Sequence, residues 1–358
     1  MIDEPERTEP QINVRDHGAT GDGETDDTAA IRSAIEALPE KGGVIFFPAG
    51  HYLSGPIRVP HHTTLLGRSA WAYKTAGGTV ISPLDADQNC LVDLQLAQGV
   101  RVIGLDLQGR DLGEEIHGIL SCKDEDRDDS EQNLVIDDCR ITHFSGSGIS
   151  MTRCHVWCIR HNLIAWNRLD GIDGHNSFDA WVIDNQIGHN GRYGFHFCSS
   201  TTITGNRLEQ NGVAGLRGSD YYLEDSVVTG NHFCTEYGTG IEIAAGEEPD
   251  ANIRGLTITG NLIRNSARRI EGENPRNCHI RLSGVGGVTC TGNVLHALRQ
   301  SMTPHYGIVL ENLQNCVIAN NSLHKGAMGA LIHDLGGHEG TIIKDNAGSI
   351  KDPNDVRA

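Results

Sequence analysis

Aromatic residues make up only 5% of this 358-residue chain, proline occurs 11 times, and 29 lysines and arginines face 47 acidic residues. Each shortage excludes something. So few rings rule out a thick core of large side chains and leave thin packing layers. The formal net charge of −18 excludes nucleic acid and an anionic membrane as partners, since both would repel the chain. A polyanionic substrate would need arginines gathered locally. No stretch reaches the roughly 18 apolar residues of a membrane span, and the opening MIDEPERTEP has neither the basic nor the apolar region of a secretory signal. The expectation is a cytoplasmic protein, or a secreted one whose signal has been removed. The ten cysteines (90, 122, 139, 154, 158, 198, 234, 278, 290 and 316) show no C-x-x-C pair of zinc-ligand spacing, so they read as reduced core fillers. Glycine, in contrast, is plentiful at 44 residues and suits a chain of many tight turns.

Those turns recur. Taking Cys139, Asn162, Asn185, Asn206, Asn231, Asn261, Asn293, Asn321 and Asn346 as one column, the successive gaps are 23, 23, 21, 25, 30, 32, 28 and 25 residues. A second column, Gly followed by an apolar residue, runs in phase at Gly118, Gly148, Gly171, Gly194, Gly215, Gly240 and Gly307. A period of this size marks a solenoid, and short strands joined by Asn-containing turns make it a parallel β-helix. Asn suits the repeated turn because it tolerates left-handed backbone and its amide can bond the coils on either side. Loops near 245–253 and 266–277 account for the two longest gaps.

An open coil stack needs its end covered. Ala29, Ile31, Ala34, Ile35 and Leu38 fall at helical spacing, with Asp or Thr available as N-cap and Pro39 as terminator, so a capping helix is predicted there. The segments INVRDHGATGDGETDDTAAIRSAIEAL and GGVIFFPAGHYLSGPIRVPHHTTLLG resemble the opening of the pectate-lyase-like single-stranded right-handed β-helix superfamily. That superfamily holds polygalacturonase-like hydrolases, glucanases, lyases, uronan C5-epimerases and tailspikes. The resemblance implies an all-β, right-handed parallel β-helix acting on or binding carbohydrate. The expected organisation is a tail at 1–10, cap and first coils at 11–67, coils at 68–348 and a tail at 349–358.

Side chains alternate along a strand, so if the apolar residue after each Gly points inward, the next points out. That outward row reads Ser150, Asp173, His196, Arg217 and Glu242, with coils about 4.8 Å apart. His175 lies two residues beyond Asp173. We take Asp173, His175, His196 and Arg217 as candidate catalytic residues. Asp170, Arg192, Tyr193, Tyr221, Tyr222 and Glu242 are candidate substrate contacts. Asp179 and Asp184 read as turn residues, and Trp157 and Trp181 as a core stack. GIDGH is similar to the Asp-Pro-His motif of mannuronan C5-epimerases, with Gly174 in place of Pro and Asp170 where the motif has its tyrosine. LDGID also resembles the Asn-Thr-Asp-Gly-Ile-Asp stretch of polygalacturonases, but their Asp-Asp pair on the next coil is Arg192-Tyr193 here.

Removing the C5 proton of a uronate needs a cation on the carboxylate, a base and an acid. Arg217, His175 or His196, and Tyr193 could fill these roles. This favours β-elimination or C5-epimerisation of a polysaccharide or oligosaccharide. Glycoside hydrolysis or transfer, on fructan or glucan for instance, needs two carboxyls about 5–9.5 Å apart. Asp173 and Glu242, three coils or roughly 14 Å apart, cannot be that pair. Asp170 with Asp173, or Glu242 with Asp220, Glu224 or Asp225, could be. A non-catalytic glycan binder or tailspike-like protein is the third reading. No cofactor or metal is expected, the acidic run 122–132 reading as a solvated insertion rather than a calcium loop. Oligomeric state is left open.

Overall fold

The computed structural model describes residues 11–68, 72–95, 97–122, 131–219, 222–245, 252–298, 302–324 and 326–348. The expected tails at 1–10 and 349–358, and most of the acidic run 122–132, lie outside the described residues. Each coil gives one short strand to each of three long parallel sheets, which hold 13, 12 and 11 strands among the described residues. One coil reads Leu134–Asp137, Arg140–Thr142 and Ile149–Thr152, and the chain then returns to the first sheet at His155–Arg160. The molecule is a right-handed parallel β-helix.

Both sequence columns are structural. The apolar column packs inward, with Ile149, Ile172, Phe195, Leu216, Ile241 and Ile308 fully buried. The glycines before it stand at a corner, and a Cβ on Gly171 would come within 2.6 Å of the Gly194 carbonyl oxygen and 2.7 Å of Asn190 Nδ2. The asparagine column is a continuous ladder: Asn185 Nδ2 donates to Asn206 Oδ1 (3.0 Å) and to the Ile159 carbonyl (2.9 Å), and the pattern runs on to Asn346. The left-handed residue of each turn is the one before the ladder Asn, as at Asp184 (φ 53°), rather than the Asn itself. Asp179 is also left-handed (φ 56°), as a turn residue should be. A second ladder, Asn167, Asn190 and Asn211, ends on the buried carboxylate of Glu236.

The capping helix spans Thr28–Glu36, with Ile31 and Ala34 buried against the first coils. Asp27 is its N-cap, but the carboxylate accepts hydrogen bonds from Thr20 and Gly21 instead of the helix, tying the preceding loop down. The expected tryptophan stack does not form. Trp157 is buried, but it pairs in register with Ala180, and Trp181 lies opposite Cys158 and is 42% exposed. A one-residue offset in the alignment put Trp181 on the wrong face, as the period of two requires. Eight of the ten cysteines are buried. No helix among the described residues is long and apolar enough to cross a membrane.

Candidate functional site

The outward row exists as read. On the 11-stranded sheet, Ser150 pairs with Asp173, Asp173 with His196, His196 with Arg217, and Arg217 with Glu242. Parallel register therefore holds these side chains at fixed coil spacing. The row continues to Arg281, which sequence reasoning missed because a long insertion interrupts the period before it.

Asp173 is the hub. Its Oδ1 accepts a 2.6 Å hydrogen bond from His175 Nδ1 and lies 3.7 Å from His196 Nδ1. Burial acts to raise the Asp173 pKa, but the His175 hydrogen bond and the nearby imidazoles prevail and hold it below the ordinary carboxylate range. The two imidazoles stack with centroids 5.5 Å apart and planes 16° apart, and the Tyr193 ring lies 5.3 Å from that of His196. His196 Nε2 is 3.0 Å from Ser219 Oγ. Gly174, between Asp173 and His175, donates its backbone N–H to the His196 carbonyl (2.9 Å), a bond proline could not make. A Cβ there would meet the Trp157 and Phe195 rings at 3.1 Å.

Arg217 is held beside Glu242, its Nη1 3.1 Å from Oε1. The same oxygen accepts from Arg276 Nε (2.8 Å) and Arg281 Nη1 (3.1 Å), so three guanidinium groups converge on one buried carboxylate. Arg276 comes from the 266–277 insertion. Arg281 also reaches Glu311 at 3.4 Å, so the cluster sets three guanidinium groups against two carboxylates.

Two expected substrate contacts are placed elsewhere. Asp170 is fully buried, with its carboxylate clamped by Arg192 through both Nε (3.0 Å) and Nη2 and by the Tyr193 backbone N–H (2.9 Å). Those donors sit on the next coil, so the carboxylate engages Arg192 in place of a ligand. Glu242 is likewise fully buried under its arginines. Both carboxylates are thus engaged by arginines instead of lying open to a ligand. Tyr222 is 40% exposed on a small two-stranded sheet, Tyr222–Glu224 with Asn252–Arg254, and its hydroxyl is engaged by Glu224, which also takes Arg254. Tyr221 and Asp220 lie outside the described residues.

His117 was also missed. It occupies the column position of Asp170 and Tyr193, and its Nδ1 accepts from the Ser147 N–H at 3.1 Å. Burial lowers its pKa despite the opposing charges of Glu115, Asp173 and Asp170, which favours a neutral ring beside the hub. The signal was the His-Gly-Ile triplet, in phase with the glycine column.

Residues 11–218, more than half of the chain, match the family described as rhamnogalacturonase A/epimerase, pectate lyase-like. The chain belongs to that family. Among its relatives, mannuronan C5-epimerase AlgE1 of Azotobacter vinelandii is 30% identical over 227 residues, covering 57% of this chain and 16% of that protein. Alginate lyase 7 of the same organism is 26% identical over 211 residues, covering 53% of this chain and 24% of the other. This family member therefore spans well under two thirds of the length of those curated relatives. The A-module of Azotobacter vinelandii mannuronan C-5 epimerase AlgE6 superposes with a TM-score of 0.69 over 93% of this chain and 99% of that one, at 17% identity, which shows a shared fold.

Proposed function

We propose that the protein is a carbohydrate-active enzyme that abstracts the C5 proton of a uronosyl residue in a polysaccharide, with epimerisation or β-elimination as the outcome. The observation that carries this reading is the Asp173–His175 pair set in one row with His196 and Arg217. An ionised Asp173 can only accept, so it fixes the His175 proton on Nδ1 and leaves the lone pair on Nε2. The His175 side chain is 36% exposed and can reach a sugar; that of His196 is 15% exposed and supports the hub. Arg217, backed by the arginines around Glu242, neutralises the substrate carboxylate, so that the electrons of the broken C5–H bond can delocalise into it.

Two fates follow. If Tyr193 returns a proton to the opposite face of C5, the product is the C5 epimer. If the electrons instead expel the C4 oxygen, which leaves with a proton donated by the Tyr193 hydroxyl, a C4–C5 double bond forms. The relatives are named as a mannuronan C5-epimerase and an alginate lyase, and these names support the reading. Burial of Asp170 and Glu242 counts against the acid pairs that hydrolysis would use, and so supports this reading.

Proton NMR in D₂O with mannuronan and other uronan oligosaccharides tests it. Loss or inversion of the H5 signal, or new vinyl signals, is the expected result. New anomeric ends without either would overturn the proposal.

A further inference from the structure

Asp173, His175 and His196 each offer one ligand atom, and these atoms all lie within 4.8 Å of one another. Their backbones are fixed by parallel register, and Gly174 is pinned to the His196 carbonyl, so the three donors are set on a rigid frame. His175 Nδ1 lies 2.6 Å and His196 Nδ1 3.7 Å from the same Asp173 Oδ1, so two imidazole nitrogens converge on one carboxylate oxygen. We propose that this triad is a binding site for a divalent first-row transition ion of the zinc type, and that the bound ion switches the site off.

The donor set selects the ion. Two imidazole nitrogens and one carboxylate suit zinc, cobalt or nickel, whereas calcium and magnesium take all-oxygen shells. Metal–ligand distances of about 2.0–2.2 Å put tetrahedral donors about 3.3 Å apart, so side-chain rotation has to close the widest pair of the triad by up to about 1.5 Å. Ser219 Oγ holds the other ring nitrogen of His196 at 3.0 Å, as hydrogen-bonded groups behind metal ligands commonly do. The half-exposed side of His175 leaves a fourth position for water or a substrate oxygen. Inhibition rests on the proposed proton-transfer role, because the ion ties up the imidazole pair and neutralises the carboxylate that orients His175. Binding does not rest on it.

The test is calorimetric titration of chelator-treated full chain with zinc chloride, alongside the visible spectrum with cobalt chloride. The expected result is one site per chain with a tetrahedral cobalt band. Its affinity should fall tenfold or more in His175→Gln, His196→Gln and Asp173→Asn, and remain in His61→Gln/His62→Gln. Excess calcium should not displace the ion. Binding that persists unchanged in all three triad variants, or no binding, overturns the site. In the uronan assay, equimolar zinc should abolish turnover and chelator restore it. Retained activity with the site demonstrably loaded, or zinc-dependent activation, overturns the switch while leaving the site. A protein inactive on every uronan would sink the proposed function and leave the binding result standing.

Discussion

Asp173→Asn is the sharpest perturbation of the site. The substitution keeps size and shape but removes the charge that accepts the 2.6 Å hydrogen bond from His175 Nδ1. A charge-assisted bond of this kind contributes about 1.5–3 kcal/mol. If the amide also presents its N–H₂ to Nδ1, the imidazole proton moves to Nε2 and the base is lost, a general-base loss of about 10²–10⁴-fold. At about 1.36 kcal/mol per tenfold, kcat should fall by about 2.7–5.4 kcal/mol of barrier, with a much smaller change in KM. Initial rates of H5 exchange measure this directly. Stability gives a separate check with a worked sign. The Asp173 pKa is lowered in the folded state, so its contribution is present above the unfolded carboxyl pKa and lost as pH falls through the folded value. The variant should therefore melt below wild type at pH 7 and converge with it in acid. A variant that keeps kcat within tenfold of wild type would refute the orienting role of Asp173.

Other expectations follow from the same contacts. Asn185→Ala removes two donated and two accepted ladder bonds, all near 3.0 Å, and should cost about 4 kcal/mol in denaturant unfolding. Glu236 is fully buried and desolvation pushes its pKa well above the ordinary value, so wild-type stability should decline as pH rises from the unfolded carboxyl pKa toward the folded one. Glu236→Gln should remove that slope, gaining about 1–3 kcal/mol at pH 7 and almost nothing near pH 4, read by thermal melts at both values. Under the uronate reading, Arg276→Gln and Arg281→Gln should each raise KM for a uronan about three- to tenfold with little effect on kcat, measured at low salt, where surface charge is least screened.

The coil architecture was legible because it is periodic. A strand's inward residue recurs at nearly constant spacing, and the asparagine and glycine columns carry that spacing in the open. From it the row Ser150, Asp173, His196, Arg217 and Glu242 could be placed before any coordinates, as could the turn at Asp184, although its left-handed backbone had been expected at the neighbouring Asn. Reading failed where the period slipped or a position was filled unusually. Trp181 was one residue out of register, and Arg281 lay beyond an insertion. His279 takes the position glycine holds on other coils, where burial pushes its pKa down to about 3.

The sequence by itself determined what repeats: strand, turn, inward apolar residue and outward row, since each depends on chain neighbours and one fixed coil height. The tertiary structure decided which outward groups stay available to a ligand, since that depends on partners far along the chain. Asp170 and Glu242 looked like free acids until Arg192, Arg276 and Arg281 were seen to enclose them. Tyr73, from a loop off an early coil, reaches Glu209 and His189 several coils away. Loop excursions follow no period, so the contacts they make are set only when the whole solenoid has closed.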